Sequence, residues 1–287
     1  MAVGKPATMR IAIVGIKGML GRELEAAFGG NTVLGLDLPE FNLTDAVQVK
    51  EQLSVFGPDV VMNAAAYTNV DACETNPALA LAINGTAVGT LAEVCRDINA
   101  RMVHYSTDYV FDGNNPHGYA ENAMPSPLSA YGRTKLVGEE KLLQSGCRHI
   151  VIRTSWLFGR YRSDNVVEKI VARAKKDGQL KMINDRWGKP TFAKDLAAVT
   201  LDLVSKEKSD GIYHVTNTTP DAGITWYDFG QAIVEELGMK IQVSPCSSDE
   251  FPQAAVRPVH SILVNTKLPP LRPWRDALQE YCSARHA

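Results

Sequence analysis

Short apolar runs alternate with helical stretches through the first 153 residues, and this alternation limits the possible folds more than any other feature. The runs predict strands at Arg10–Val14, Val33–Asp37, Val60–Asn63, Arg101–Ser106 and His149–Arg153. The stretches between them predict helices at Met19–Phe28, Asp45–Phe56, Pro77–Asp97 and Ala130–Gln144. Residues 11–14, Ile-Ala-Ile-Val, are apolar on both faces, as in a strand that helices cover on both sides. The sequence therefore predicts an α/β fold with a doubly wound parallel sheet.

The pattern becomes looser after residue 153. Helices are predicted at Asp164–Lys176, Lys194–Ser205, Trp226–Leu237 and Trp274–Ser283, and strands at Leu180–Ile183 and Gly211–Val215. A chain of 287 residues has room for two domains at roughly 150 residues each. We expect a first domain over residues 1–155, to which the chain returns around 193–220, and a smaller α/β lobe over 156–287.

Composition narrows the class of protein. The formal net charge is −2, so nothing favours a nucleic-acid partner or a membrane surface. The uncharged stretch Thr75–Ala92 contains Pro, Asn and two Gly, which we interpret as too polar for a membrane span. The first nine residues lack an apolar core, so we expect no signal peptide and a fold that begins near Met9 or Arg10. These features predict a cytoplasmic protein.

The cysteines and histidines are dispersed. Five cysteines occur without a C-x-x-C pair, and none of the six histidines lies three or four residues from another. An odd, scattered set is typical of reduced thiols rather than of a disulfide framework or a zinc site. We expect no metal.

A glycine-rich turn follows the first predicted strand. Residues 15–21 read Gly15-Ile-Lys17-Gly18-Met19-Leu20-Gly21, a G-x-x-G-x-x-G turn that opens a helix. Glycines at such a turn let the backbone approach a pyrophosphate, which then lies at the helix N-terminus. The turn predicts a Rossmann-type dinucleotide-binding domain, and the remaining lobe is then expected to bind substrate.

Two features bear on the identity of the dinucleotide. Asp37 ends the second predicted strand, where a carboxylate can accept the adenosine ribose hydroxyls of NAD. Lys17 favours the opposite choice, because its ammonium can pair with the 2′-phosphate of NADP. The small residues Ala64, Ala65 and Ala66, followed by Tyr67 and Thr68, leave room for the cofactor or simply pack a helix on the sheet. NADH and NADPH both remain candidates.

Tyr131 and Lys135 lie four residues apart on one face of a predicted helix. A fixed ammonium beside a phenol favours the phenolate, so we expect Lys135 to draw the pKa of Tyr131 toward neutrality for acid–base chemistry. The run Ser106-Thr107-Asp108 follows the fourth predicted strand, and Ser106 or Thr107 can polarise a substrate carbonyl there. Each motif alone is common by chance.

Together these motifs resemble the extended short-chain dehydrogenase/reductase family and, within it, the dTDP-4-dehydrorhamnose reductase family. The resemblance extends from about Arg10 to the C-terminus. The strings that carry it are residues 63–68 (NAAAYT), 106–113 (STDYVFDG), 131–135 (YGRTK), 153–159 (RTSWLFG), 188–191 (GKPT) and 257–258 (RP). It implies reduction of the C4 ketone of dTDP-4-dehydro-6-deoxy-L-mannose, a step of dTDP-rhamnose biosynthesis for cell-surface polysaccharide.

The resemblance also implies residue roles. Tyr131 is expected to donate the proton, Lys135 to anchor the cofactor ribose and Thr107 to tune the site. Asp108 and Trp156 are expected at the hexose, with Thr107. Positions that fall where relatives hold the dinucleotide are Gly18, Met19, Leu20, Asp37, Asn42, Leu43, Ala66, Tyr67 and Thr68.

One prediction goes beyond the family pattern, and one residue departs from it. We expect Arg257 at the substrate diphosphate, because its planar guanidinium matches phosphate oxygens; the alternative is an ordinary surface ion pair. Lys194 stands where some relatives have an acidic residue of a metal-bridged dimer, so metal-dependent dimerisation is not implied. A homodimer of another kind stays open.

Two rival functions share the motifs. Nucleotide-sugar dehydratases of the family resemble a Thr-Asp-Glu string, whereas this chain has Tyr109 in the third position. The non-catalytic β subunit of methionine adenosyltransferase retains Tyr-x-x-x-Lys, so this motif does not exclude a regulatory role. The Thr at position 107 favours the enzyme.

Overall fold

A computed structural model describes residues 8–220 and 223–285 of the chain. Most of the segment on which we based the absence of a signal peptide lies outside these residues. In the described part, the strands are β1 Arg10–Val14, β2 Thr32–Leu36, β3 Val60–Asn63, β4 Arg101–Thr107, β5 His149–Thr154, β6 Leu157–Phe158, β7 Gln179–Ile183, β8 Trp187–Gly188, β9 Thr191–Phe192, β10 Gly211–His214, β11 Ile224–Thr225 and β12 Gln242–Cys246. The helices are α1 Met19–Ala27, α2 Ala46–Phe56, α3 Val70–Thr75, α4 Pro77–Leu81, α5 Ala87–Asp97, α6 Ala130–Gln144, α7 Val166–Asp177, α8 Ala193–Ser205, α9 Trp226–Glu236 and α10 Trp274–Ala284.

Six parallel strands form the central sheet in the order β10-β5-β4-β3-β1-β2. The chain first moves outward from β1 to β2 and then returns to place β3 on the other side of β1. Ligands of such sheets bind at this reversal, beyond the carboxyl ends of the strands. The predicted doubly wound parallel sheet is therefore confirmed, and its crevice lies at the loops after β1 and β3.

Helices cover both faces of this sheet. One face packs against α2, α5 and α6 through an apolar cluster that includes Leu53, Leu91 and Leu142. The opposite face packs against α1 and α8 through Leu24 and Leu196. The strands are buried on both faces, which explains why their sequences read as continuous apolar runs.

A separate apolar cluster joins α7, α9, α10, β7 and β12. Here β7 and β12 pair in parallel as a two-stranded sheet, outside the six-stranded one. Helix α8 and strand β10, which lie between β7 and β12 in the sequence, belong with the central sheet instead: α8 packs on α1, and β10 pairs with β5. The exact domain boundaries stay a prediction.

The stretch predicted as one helix over Pro77–Asp97 is continuous but not uniform. Residues Ala82–Thr86 form a π-helical turn between α4 and α5. The Asn84 side chain in this turn accepts from the Tyr67 N–H at 2.8 Å and donates to the Tyr67 carbonyl at 3.0 Å. The turn thus fixes the loop that follows β3, and π-turns of this kind occur often at functional sites.

Our interpretation of Thr75–Ala92, which overlaps this helical stretch, as too polar for a membrane span was wrong on composition. The helical segment Pro77–Asp97 has a mean hydropathy of 1.5 in its most apolar 18-residue window, enough to cross a membrane by length and composition alone. However, 56% of that window is buried inside the protein, as in the core helix of a globular fold.

Candidate functional site

A cavity of about 760 Å³ opens at the carboxyl ends of the central strands. It brings together nearly all of the residues predicted from the sequence. Those that line it are Gly15, Lys17, Gly18, Met19, Leu20, Asp37, Asn42, Leu43, Ala64, Ala65, Ala66, Tyr67, Thr68, Thr107, Asp108, Tyr131, Lys135 and Trp156. Gly21 and Arg257 are the two predicted residues that do not line it.

The glycine turn is shaped for close backbone approach. Gly15 has a φ of +82°, and a Cβ there would lie 2.7 Å from the Ala65 nitrogen. Gly21 does not line the cavity because it packs under the turn, where a Cβ would lie 2.2 Å from the Gly15 carbonyl oxygen. Gly18 is the N-cap of α1 and has no side chain, so within the described residues no side-chain hydrogen bond caps this helix. Such a helix end fits the pyrophosphate of a dinucleotide.

Asp37 and Lys17 do not act as simple opposites. The Asp37 carboxylate accepts from the backbone N–H groups of Lys17 and Leu38, both at 2.8 Å. The Lys17 ammonium is 2.8 Å from Glu40, and this hydrogen bond is the main reason that the pKa of Glu40 is lowered. Asp37 therefore ties the glycine turn to the end of β2, and Glu40 is a neighbour that the sequence argument missed.

The phenol and the ammonium are placed by α6, which begins directly before Tyr131. Ser129 caps this helix by accepting from the Gly132 N–H at 3.1 Å. Lys135 is buried, and its ammonium donates to the Tyr105 carbonyl at 2.6 Å. Burial lowers the pKa of Lys135 to about 8, although Glu139 opposes this shift.

The expected lowering of the Tyr131 pKa is not found. Burial raises the pKa of Tyr131 above its ordinary value, and only the contact with the Thr107 hydroxyl acts clearly in the other direction. The physical reason is that desolvation of the phenolate outweighs its stabilisation, while the Lys135 ammonium is engaged elsewhere. The phenol therefore stays protonated at neutral pH.

The hydroxyl groups after β4 have different tasks. The Thr107 hydroxyl donates to Asp108 at 2.9 Å, and both residues line the cavity. Burial raises the pKa of Asp108 to about 7, against hydrogen bonds from Ser261 and Thr107. Ser106 donates instead to the buried carboxylate of Glu139. Both Ser106 and Thr107 line the cavity, so which of the two polarises a substrate carbonyl stays a prediction; the contact with Glu139 favours Thr107.

Trp156 lines the cavity from the segment after β5. It adopts a left-handed φ of +44° and stacks on Trp226 with ring centroids 3.7 Å apart. A non-glycine residue in this region of backbone space is uncommon, and the aromatic stack holds it there. The position fits the sugar platform that the resemblance implied.

Arg257 lies beside the cavity rather than in its lining. Its guanidinium makes a two-pronged ion pair with Asp71, at 3.1 and 2.8 Å. It also stands close to Tyr109, whose ring packs edge-on against Tyr131 with centroids 5.9 Å apart. The ion pair corresponds to the alternative considered for Arg257, so its contact with a diphosphate stays a prediction.

Sequence reasoning missed the polar residues under the site. His104, Asn63 and Glu139 are buried next to Lys135 or to its partners. The available signal was His104 itself, a histidine that follows the apolar Met102 and Val103 in a predicted buried strand. A buried polar group must find a partner, so such a residue indicates a network.

Comparison with known proteins agrees with this geometry. A family model described as the RmlD substrate binding domain matches residues 9–286. The chain is 37% identical over 287 residues to dTDP-4-dehydrorhamnose reductase of Mycolicibacterium smegmatis, covering 96% of this chain and 85% of the relative. It is 35% identical to a dTDP-4-keto-6-deoxy-D-glucose reductase of Streptomyces niveus, covering 95% and 96%. A crystal structure of the Bacillus anthracis dTDP-4-dehydrorhamnose reductase with NADP superposes with a TM-score of 0.92 at 30% identity, covering 96% of this chain and 99% of that chain.

Proposed function

We propose a function from the premise that this chain belongs to the RmlD substrate binding domain family. The function is NAD(P)H-dependent reduction of the C4 ketone of a dTDP-linked 6-deoxyhexose, with dTDP-4-dehydro-6-deoxy-L-mannose as substrate and dTDP-L-rhamnose as product. The observation that carries this proposal is one cavity shared by an uncapped helix N-terminus and a Tyr–Lys pair. A relative of similar identity is named a dTDP-4-keto-6-deoxy-D-glucose reductase, so the test below compares the two hexose series.

The cofactor fits the residues present. The glycine turn of residues 15–21 would hold the pyrophosphate, Asp37 the adenosine ribose, and Lys135 the nicotinamide ribose. When bound, NADPH or NADH supplies the hydride that adds to the ketone carbon. The side chains of this protein would supply the proton and the electrostatic stabilisation.

Tyr131 donates the proton. Its raised pKa keeps the phenol protonated at neutral pH, which is the form that a forming alkoxide requires. Thr107, whose hydroxyl contacts Tyr131, orients the phenol, and on substrate binding its one proton turns from Asp108 to the ketone oxygen. The Lys135 ammonium is held by the Tyr105 carbonyl, so it favours the developing negative charge only through its field across the shared cavity.

The direct test is loss of reduced-nicotinamide absorbance with each of two substrates, the dTDP-linked 4-keto-6-deoxy sugars of the L-manno and D-gluco series. We expect turnover with both cofactors and a higher kcat/KM for the L-manno sugar. Preference for the D-gluco sugar would reassign the hexose, and no turnover with either would contradict reductase function.

The variant Tyr131→Phe tests the proton donor. It removes one hydroxyl, and we expect at least a ~100-fold lower kcat with unchanged cofactor affinity, since general acid catalysis contributes this much. Tyr213→Phe is a matched control, because the buried Tyr213 hydroxyl donates to the Ser209 carbonyl at 2.7 Å, away from the cavity. Equal activity of the two variants would remove Tyr131 from the mechanism.

A further inference from the structure

Strand β4 and helix α6 meet through two parallel pairs of polar side chains. His104 and Ser106 are two residues apart on β4, and Lys135 and Glu139 are four residues apart on α6. Two residues span about 6.6 Å along a strand and four span about 6.0 Å along a helix, so both pairs can meet at once. His104 Nε2 lies 3.3 Å from the Lys135 nitrogen, and the Ser106 hydroxyl donates to Glu139. The site thus has a second polar layer beneath it.

His104 is fully enclosed within this layer. It has no exposed surface, and it stands opposite Asn63 in the register of β3 and β4. The Asn63 amide nitrogen lies 3.2 Å from His104 Nδ1, and the amide oxygen of this fully buried side chain has no hydrogen-bond partner among the described residues. Burial and the charge of Lys135 hold the pKa of His104 well below its ordinary value. The imidazole is therefore neutral and carries one ring proton.

The position of this proton follows from the neighbours. A proton on Nε2 would face the Lys135 ammonium, which has only donors to offer. A proton on Nδ1 finds an acceptor when the Asn63 amide is turned by 180°, which brings its unpartnered oxygen to the ring. The Nε2 lone pair is then free to accept from the ammonium. With Lys135 charged, the second arrangement avoids a buried contact between two donors.

We propose that His104 is a positioning residue for Lys135, and that Asn63 holds it in the tautomer that accepts from the ammonium. The Tyr105 carbonyl accepts a second N–H of the same ammonium at 2.6 Å. An ammonium has three donors, so these two contacts leave the third for the cavity, which Lys135 lines. The part that Lys135 then takes in ketone reduction rests on the proposed function.

The consequence is a contribution to the pKa of Lys135. A hydrogen bond to the charged form raises that pKa, and its loss lowers it. Other groups near the ammonium are Glu139, which raises this pKa, Arg153, which is paired with Glu139 at 2.6 Å, and the protonated Tyr131. Replacing His104 by an apolar residue changes none of these charges. It removes one acceptor from a buried ammonium whose pKa is already lowered to about 8.

The first experiment titrates Lys135 directly. Protein labelled with ¹³C-lysine is followed by NMR across neutral and alkaline pH, and the Lys135 resonance is assigned with Lys135→Arg. In His104→Leu we expect the Lys135 pKa to fall by about one unit relative to wild type, because a charged hydrogen bond is lost. His104→Gln, whose amide oxygen can occupy the place of Nε2, should restore most of it. Met102→Leu is the matched control, since Met102 is fully buried two residues earlier on the same strand.

The second experiment follows the pH profile of kcat. A shift of about one unit in the alkaline limb would lower kcat of His104→Leu roughly eightfold at about pH 8.5 and less than twofold at about pH 6. A merely structural defect would lower kcat at both pH values and would change Met102→Leu alike. If His104→Leu does not fold, Asn63→Ala should show the same shift in smaller size, because it leaves the imidazole without its fixed tautomer.

An unchanged Lys135 pKa in a folded His104 or Asn63 variant overturns this inference. The titration uses neither cofactor nor sugar, so it is independent of the reaction. A wild-type protein that titrates as expected but reduces no 4-keto sugar would contradict the proposed function and leave the placement of Lys135 standing.

Discussion

Asp108 carries a buried carboxyl group at the edge of the cavity. Its pKa is raised to about 7 because desolvation outweighs the hydrogen bonds that it accepts. The sequence identified Asp108 as a candidate but not its protonation state, since a Thr-Asp pair after a strand contains no information on burial. The neighbouring phenol of Tyr131 shows the same balance. At both residues the loss of water decides the protonation.

Asp108→Asn should therefore change stability in a pH-dependent way. A carboxyl whose folded pKa exceeds its ordinary value of 3.8 favours folding at low pH, and this contribution is lost as the pH rises through 7. The Asn variant does not ionise, so its Tm relative to wild type should rise between pH 5 and pH 8, by roughly 3 °C or more. Thermal denaturation at both pH values measures it. The same difference at both would show that Asp108 is not protonated near neutrality.

Asp37 offers a second test of a single charge. Its carboxylate binds two backbone N–H groups of the turn, so Asp37→Ala would both loosen the turn and remove the charge. Asp37→Asn keeps an acceptor oxygen, and we expect it to raise the NADPH-to-NADH ratio of kcat/KM by about tenfold, since repulsion of a 2′-phosphate is relieved. Lys17→Ala should lower the ratio. Unchanged ratios in both variants would show that neither side chain helps to distinguish the 2′-phosphate of NADPH from the 2′-hydroxyl of NADH.

At the scale of elements, periodicity predicted the central sheet almost residue by residue. β1, β3 and α6 have the predicted boundaries, because buried parallel strands and capped helices leave strong local patterns. Strand β7 was predicted as Leu180–Ile183, but its parallel partner β12 and the short helix α3 were missed. The pairing of β7 with β12 joins residues about sixty positions apart, and no local pattern encodes such a partner. The π-turn at Ala82–Thr86 likewise depends on the contact of Asn84 with another segment.

Helix α6 depends on close approach to this π-turn. A Cβ at Gly138 would lie 2.3 Å from the Asn84 carbonyl oxygen, a backbone atom that cannot move freely. We expect Gly138→Ala to lower the free energy of unfolding by about 1–3 kcal/mol, as overpacking does, and to lower kcat because α6 carries Tyr131 and Lys135. Denaturant unfolding and steady-state kinetics measure both effects.

Gly89→Ala on α5 is the matched control for this prediction. A Cβ there meets the side chain of Lys141, a flexible group that can move aside, and alanine favours the helix. We expect its stability to stay within about 1 kcal/mol of wild type. If Gly138→Ala were equally well tolerated, the tight contact between α6 and the π-turn would not require glycine at position 138.

On the scale of the whole molecule, the segment after residue 254 packs against the loop that follows β4 and against α3. The backbone N–H groups of Tyr119 and His260 donate across this junction to Ile262 and Gly113, at 2.8 and 3.1 Å. Arg257, in the same segment, forms its ion pair with Asp71 of α3. Sequence pattern indicated a loop-rich C-terminal part, but the partner of Arg257 lies 186 residues away and was not predictable.

The ion pair between Arg257 and Asp71 allows a test of whether Arg257 contacts the substrate. If Arg257 only holds its own segment against α3, loss of either partner of the ion pair should have the same effect on the KM for the sugar nucleotide. If its guanidinium also binds the diphosphate, Arg257→Ala should raise this KM about tenfold, the size of one charge-assisted hydrogen bond. Asp71→Asn should not raise it, because the guanidinium stays in place with one competitor fewer. We predict the second pattern, with equal KM for the cofactor in both variants and a similar decrease in Tm. An equal rise of the sugar KM in the two variants would show that Arg257 has only a structural role in its ion pair with Asp71.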